Sequence, residues 1–302
     1  MIVRGAFNHL LRPGLRPDFR DSYQQYPVEY SGYLKTGTQD RAEVEAVTLS
    51  GLPRMVVRGE GEPVIYIDPV MGDKVVYIDD EFALGFIVTK RMMEDDLYNK
   101  AKQNAKWLGR SARLTQEFLS ASLLDDAFVG TVFTGFEGEA LCTTAHTFLN
   151  AAGTWSNRLA TDVQLGITGL QAAFDLHAAH VDQQGDPIVS MPSRLVIDIT
   201  DEWVAIQLTE NPDEAFTTDR NINAFKNRAG SRGLSYMVSH YKSQSGSWFF
   251  QDPNLIDMWF LFRVKPEFED TFDFDTKAAK FSGRQRINVY FFDQRGIVGS
   301  AP

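Results

Sequence analysis

The sequence predicts an α+β fold, on three observations. Strand-like runs of β-branched and aromatic residues lie at 64–89 and return from Gly233 onward. Between them, residues 91–128 hold no proline and a single glycine, Gly109, with small and apolar residues recurring every three or four positions. The order is an arm, a long hairpin, a long helix and then mixed helices and strands, not the regular alternation of a parallel α/β sheet.

Residues 1–45 read as an arm. Pro13, Pro17 and Pro27 interrupt it, its apolar residues are scattered, and Arg4, Arg12, Arg16 and Arg20 against Asp18 make its first twenty residues basic. Such a segment buries too little apolar surface to offset its ordering entropy alone, so it needs another surface to lie on. Next, PVIYIDP and KVVYIDD flank the turn-like Val70-Met71-Gly72-Asp73 and read as a long hairpin within 46–90. A lone hairpin is marginal in water and also needs a surface.

Within 91–128, Leu97, Ala101, Ala105, Leu108, Ala112, Thr115, Leu119 and Ser122 share one helical face, and Glu94, Asp95 and Asp96 suit its N-terminal dipole. Residues 129–160 read as a Gly/Thr-rich loop. Thr161 and Gln164 then match a capping box ahead of a helix with Ile167, Leu170, Phe174 and His177 on one face, ending by Gly185. Pro187 and Pro192 bracket the way into the buried strand LVIDI, after which Thr200 caps a short helix stopping at Asn211-Pro212. GLSYMVSHY, SWFF, MWFLFRV, EFEDTFDFDT and RINVYFFD complete the strands.

Composition narrows the function. At 302 residues the chain forms one large domain or two modest ones, and 43% hydrophobic with 23% charged residues suits a buried core. Thirty Lys/Arg against forty Asp/Glu leave a net charge of −10, which argues against general nucleic-acid coating. The longest apolar run, Phe82–Val88, is far short of the ~20 residues of a membrane helix. The N-terminus has no signal-peptide apolar stretch, and a single cysteine, Cys142, excludes an internal disulfide. A soluble chain made in a reducing cytoplasm is the expectation.

The catalytic signals are weak. His177 and His180, three apart, could chelate a metal, but the H-E-x-x-H pattern is absent and packing is the better reading. Cys142 with His146 resembles a thiol–base pair only by proximity, and a buried structural cysteine is favoured. Gly59-x-Gly61 lacks the third glycine and the following helix of a phosphate loop. The Asp79-Asp80-Glu81 and Glu94-Asp95-Asp96 clusters read as a solvated strand end and a helix start. No enzyme, metal or cofactor is expected.

Several phrases do carry a resemblance: CTTAH at 142–146 with GTWSN at 153–157, GDPI at 185–188 leading to MPSRLVI at 191–197, DPNLIDMWFL at 252–261 and DQRGIVGS at 293–300. They resemble tailed-bacteriophage major capsid proteins, most of all the Mu-like prophage major head subunit group. The resemblance implies a capsid fold with an N-terminal arm (1–45) and an extended loop (46–90) reaching across neighbouring subunits. It implies a peripheral domain (91–160 and 266–302) with spine helix 91–128, and an axial domain (161–265). It further implies hexamers and pentamers in an icosahedral shell around packaged double-stranded DNA, held without sequence-specific contacts, in a virion assembled in the host bacterial cytoplasm. Arg4, Arg12, Arg16, Arg20, Arg54, Arg58 and Lys74 are the candidate inter-subunit contacts.

Absence of a fused scaffolding segment, with Met1 at the start, points to a separate scaffolding protein. A portal at one vertex and a decoration protein are the other expected partners, and no membrane is involved. Some members weld subunits through Lys–Asn bonds; Lys74 has no partner assignable by motif, so no cross-linking is expected. The alternatives are an encapsulin-like compartment shell, disfavoured by the arm-like N-terminus, and a cytosolic hydrolase or metal enzyme built on His146, His177 or the acidic clusters.

Overall fold

A computed structural model describes residues 6–41, 43–89, 91–92, 98–210, 223–225, 233–273, 275–276 and 278–302. Two four-stranded sheets organise them. In the first, β1 (Lys35–Thr38), β10 (Met258–Asp273), β11 (Ala278–Phe291) and β4 (Asp80–Thr89) lie side by side in that order, β1 parallel to β10 and the others antiparallel. In the second the order is β12 (Ile297–Ser300), β9 (Trp248–Gln251), β7 (Arg194–Asp198) and β8 (Ser235–Ser239), with β7 parallel to β8. Two small antiparallel pairs join β2 (Glu43–Leu49) to β3 (Met71–Ile78) and β5 (His146–Thr147) to β6 (Thr154–Trp155). The helices are α1 (Ala6–Gln25), α2 (Tyr98–Asp125), α3 (Ile167–Ala178) and α4 (Glu202–Thr209). No helix among the described residues is long and apolar enough to cross a membrane.

The α2 face read from the sequence is buried at Ala101, Ala105 and Leu108, but Ala112, Thr115, Leu119 and Ser122 are only half-buried, Gln116, Glu117, Ser120 and Ala121 take the buried positions there, and Leu97 lies outside the described residues. Ala101, Ala105 and Leu108 pack on Phe268 and Phe281 of the first sheet, while Leu123 and Leu124 enter a central core with Leu141, Phe249, Phe260 and Phe291. Glu94, Asp95 and Asp96, expected in its first turns, lie outside the described residues. A separate core joins Leu170, Ala173, Leu195, Ile197, Ala205, Trp248 and Phe250 beneath α3 and α4. MWFLFRV and EFEDTFD, which read as two strands, form the single β10, because register shifts between Phe262 and Glu267 accommodate Pro266 and its missing N–H.

Several expectations are corrected. The arm is largely helix: α1 runs through Pro13 and Pro17. Each interior proline costs roughly 3 kcal/mol. Burying Leu15, Phe19, Tyr30 and Tyr33 returns roughly 1.5–3 kcal/mol per side chain, enough to hold the segment down. Gly109 of α2 makes the approach possible, since a Cβ there would sit 2.3 Å from the Phe19 carbonyl oxygen.

The hairpin partners also differ. β3 pairs with β2, not with residues 64–70, and Gly72 lies inside β3 where a Cβ would meet Leu149 at 2.8 Å. The second helix begins at Ile167 after Gly166, past the expected capping box of Thr161 and Gln164, and the stretch before it is tied to other parts of the chain. Val163 N–H donates to Ser300 Oγ (3.0 Å), and Asp162 pairs with Arg158. Asp198, not Thr200, caps the next turn: its carboxylate accepts from Ile199 N–H at 2.8 Å and from Thr200 Oγ1 at 3.0 Å. That helix closes at Thr209; Asn211-Pro212 lies outside the described residues. Finally, Asp79 does not solvate a strand end. It is buried between Arg286 (2.6 Å) and Arg263 (3.4 Å), tying the β3–β4 junction to the first sheet.

Candidate assembly interface

The β2–β3 ladder closes where Ser50 N–H donates to the Val70 carbonyl and Val70 N–H donates to Ser50 Oγ, both at 2.9 Å. Its base is pinned to the body. Tyr77 stacks on Tyr290 with ring centroids 4.8 Å apart, and its hydroxyl donates to the Phe291 carbonyl at 2.7 Å. Gln184 Nε2 donates to the carbonyls of Ser50 and Gly51, and Arg54 pairs with Asp186 at 2.5 Å.

Beyond that base every residue from Gly51 to Pro69 is exposed. Met55, Val57 and Tyr66 are 103%, 96% and 90% accessible, as bare as in an extended chain. Two legs, RMVVR at 54–58 and VIYI at 64–67, are joined by a tight turn. In it Glu62 N–H donates to the Gly59 carbonyl, and Gly61 takes a φ of 81° that favours glycine. The legs have the β-branched and aromatic content of a core strand but no strand partner among the described residues. Apolar surface this continuous on a folded chain is characteristic of an interaction surface.

The seven contact candidates do not converge. Arg54 is at the loop base, Arg58 donates to the Glu62 carbonyl in the tip, and Lys74 of β3 pairs with Glu45 of β2. Arg16 donates to the Phe268 carbonyl at 3.2 Å, and Arg20 is exposed on α1. Arg4 and the Arg12 side chain lie outside what is described.

The histidines and the cysteine are packed into the body. His177 Nε2 faces the Phe250 carbonyl at 3.0 Å and His180 Nδ1 faces the Arg295 carbonyl at 2.9 Å. Burial pushes these rings down to about 3 and about 4. Cys142 is fully buried and burial pushes its thiol well up, the opposite of an activated nucleophile. His146 lies between Glu137 Oε1, 2.5 Å from its Nδ1, and Asn157 Oδ1, 2.9 Å from its Nε2. The Asn157 orientation is set by its own Nδ2, which donates to the carbonyls of Leu141 and Gln294. Burial works against a charged Glu137, but the bonds from His146 and Thr147 outweigh it and hold the carboxyl below its ordinary range.

Sequence reasoning missed two carboxylates that fix the long helix. Glu117, in the middle of α2, accepts the N–H groups of Glu29 and Tyr30 at 3.1 Å each and thereby anchors the segment after α1. Burial raises its pKa to about 7 against the pull of those two amides. Asp126, just past α2, gathers Thr131, Val132 and Phe133; burial opposes its charge, but these donors hold it low. Neither carries a sequence signal beyond an acid near an apolar helix.

The sequence profile of the phage capsid protein family matches residues 76–300. No curated protein sequence matches the chain. Among solved structures, the capsid of an empty GTA particle aligns with a TM-score of 0.57 at 11% identity, over 91% of this chain and 90% of that one. The procapsid of bacteriophage JBD30 aligns at 0.53 and 14% identity, over 99% of this chain and 76% of that one. The virus-like particle from Pyrococcus furiosus aligns at 0.50 and 8% identity, over 95% and 98%. At these identities the structures share the fold. Since the profile match runs through β4, α2 and every later element, the chain belongs to the phage capsid protein family.

Proposed function

We propose that this chain is the major head protein of a tailed phage of the Mu-like prophage group, assembling as hexamers and pentamers into an icosahedral shell around packaged double-stranded DNA. The observation that supports this is the bare apolar tip at 51–69, which has no partner among the described residues and which a neighbouring subunit would cover. Each large apolar side chain it buries there contributes roughly 1.5–3 kcal/mol. In this reading the loop within 46–90 reaches neighbours, 91–160 with 266–302 form the peripheral domain against which the N-terminal helix docks, and 161–265 form the axial domain. The role is structural. A separate scaffolding protein directs assembly in the host bacterial cytoplasm, a portal occupies one vertex, and a decoration protein binds the finished head. A net charge of −10 suits a wall that holds DNA without gripping it.

A second reading, an encapsulin-like cellular compartment, draws support from α1: a helix docked on α2 removes the arm-like start that counted against it. Nucleic acid inside native particles supports the phage head; enclosed protein cargo supports the compartment.

The test is to express the full chain alone and with its neighbouring scaffold gene, and to image the product by electron microscopy. Closed shells or ring-shaped capsomers are expected. A discrete small oligomer under both conditions overturns the shell reading.

A further inference from the structure

The chain has a second apolar surface, on the body rather than the loop. Along α2 the residues at Gln103, Lys106, Trp107, Arg110, Leu114 and Phe118 fall on one helical face, following the 3.6-residue period. This face turns away from the sheet that Ala101, Ala105 and Leu108 cover. Trp107 and Phe118 are each 57% exposed. An exposed Trp on a rigid helix is uncommon, and Trp with Arg is the pairing most enriched at the centre of protein interfaces.

Neighbouring elements extend the patch. Tyr241, in the turn after β8, meets Phe118 edge-on with ring centroids 5.3 Å apart, and Arg110 lies over the Tyr26 ring at 5.3 Å. The face is also cationic in an acidic molecule. α2 carries five Lys/Arg against two Asp/Glu, while the whole chain is −10. Lys100, Lys106 and Arg110 border the apolar stripe, whereas Glu117 points into the body toward Glu29 and Tyr30. The nearby carboxylates are engaged elsewhere or only loosely: Glu29 holds His240 at 2.7 Å, and Asp18 approaches Lys106 at 3.8 Å.

We infer that this face of α2 docks an acidic amphipathic helix supplied by another protein. Trp107, Leu114 and Phe118, at i, i+7 and i+11, form a ridge along which a helix with its own apolar seam packs nearly parallel. Lys100, Lys106 and Arg110 meet the acidic flanks of that helix and exclude a basic one, so charge sets the choice and apolar contact sets most of the affinity. Duplex DNA fits less well, since only three border cations face out and the centre of the patch is apolar, where phosphate recognition needs charge. The inference rests on the shell reading only in expecting an assembly partner; the surface itself belongs to the single chain.

The test uses the full-length, unassembled chain with Trp203→Phe, which removes the other strongly exposed tryptophan. The probe is a synthetic 25-residue amphipathic helix with Leu at its seam and Glu on its flanks; the controls are the same helix with Lys flanks and a 24-base-pair duplex. The Glu helix should shift Trp107 emission to the blue and bind more weakly as salt rises. Trp107→Ala, read by anisotropy of a labelled peptide, should weaken binding roughly thirtyfold, and Lys106→Gln with Arg110→Gln about tenfold. Lys265→Gln with Lys280→Gln, which removes two charges from the β10–β11 hairpin, should leave binding unchanged. No binding at millimolar peptide, or equal binding of the Lys helix, overturns the inference. A duplex that binds this face while the Glu helix does not overturns it in favour of nucleic acid. Loss of capsomers in Trp107→Ala without any partner present overturns it in favour of a copy-to-copy contact. Failure of the shell reading is separate, since it shows as absence of particles from the unaltered chain.

Discussion

Residues 64–70 (VIYIDPV) and 258–264 (MWFLFRV) have nearly the same strand-forming character and opposite fates. The second becomes the first half of β10, flanked by β1 and β11, with Met258 and Phe260 fully buried. The first stays bare beside the Ser50–Val70 closure. Propensity does not separate them; a partner does. MWFLFRV finds its ladder inside the chain, whereas VIYIDPV and its companion leg RMVVR have no strand beside them among the described residues. Apolar strand content therefore folds the subunit in one place and stays unpaired in the other, where the proposed head assembly would use it.

The sharpest way to break this comparison is to charge the bare stretch. Val56→Asp with Ile65→Asp should abolish particles and capsomers by electron microscopy, while the urea midpoint of the isolated chain moves by no more than about 0.5 kcal/mol equivalent, as exposed positions do. A large loss of stability would mean that the tip folds onto its own body. The buried counterpart should behave in reverse. Phe260→Ala should cost roughly 3–5 kcal/mol in chemical unfolding, the range for emptying an aromatic site in a close-packed core.

Gly109→Ala tests the contact between α1 and α2. A methyl group 2.3 Å from the Phe19 carbonyl forces the helices apart. The expected cost is about 1–3 kcal/mol, with faster proteolysis of residues 6–25 than of the rest of the chain.

A further set of expected effects is on pH. Unfolding returns His177 and His180 to their ordinary value near 6.5 from about 3 and about 4, so the unfolded chain takes up protons that the folded one refuses. Stability should fall as pH drops from 6.5 toward 4. Glu117 works from the other side: its carboxyl is raised from 4.5 to about 7, so stability should fall as pH rises through that interval. Glu117→Gln should flatten the upper limb of a melting-temperature profile and leave the lower limb in place. A profile flat on both sides would show that neither burial governs stability.

The parts of the fold legible in the sequence are those whose signal is local. The period of α2 is written every three or four residues and survives in the packing of Ala101, Ala105 and Leu108. LVIDI was legible as a buried strand and SWFF as a strand. What was not legible depends on distant partners. α1 is hidden by Pro13 and Pro17 because its stabilising contacts come from α2 and β10, far along the chain. The pairing of β3 with β2 is hidden because residues 64–70 match the strand pattern as well as β2 does. The exposure of the tip was not legible either, since VIYI reads the same buried or bare. Glu117 and Asp126 were missed because anchoring carboxylates look like any surface acid.

Cys142 has a practical consequence. It is the chain's one cysteine, sealed behind Phe128 and Gly299 with a thiol that burial keeps protonated. A maleimide or disulfide reagent therefore finds nothing to attack on the native subunit. A cysteine engineered at an exposed position such as Gln103 becomes the sole chemical handle, and every subunit of an assembled particle carries one copy. The same inertness makes the chain a clean background for spectroscopic labels and for display of cargo at a defined stoichiometry.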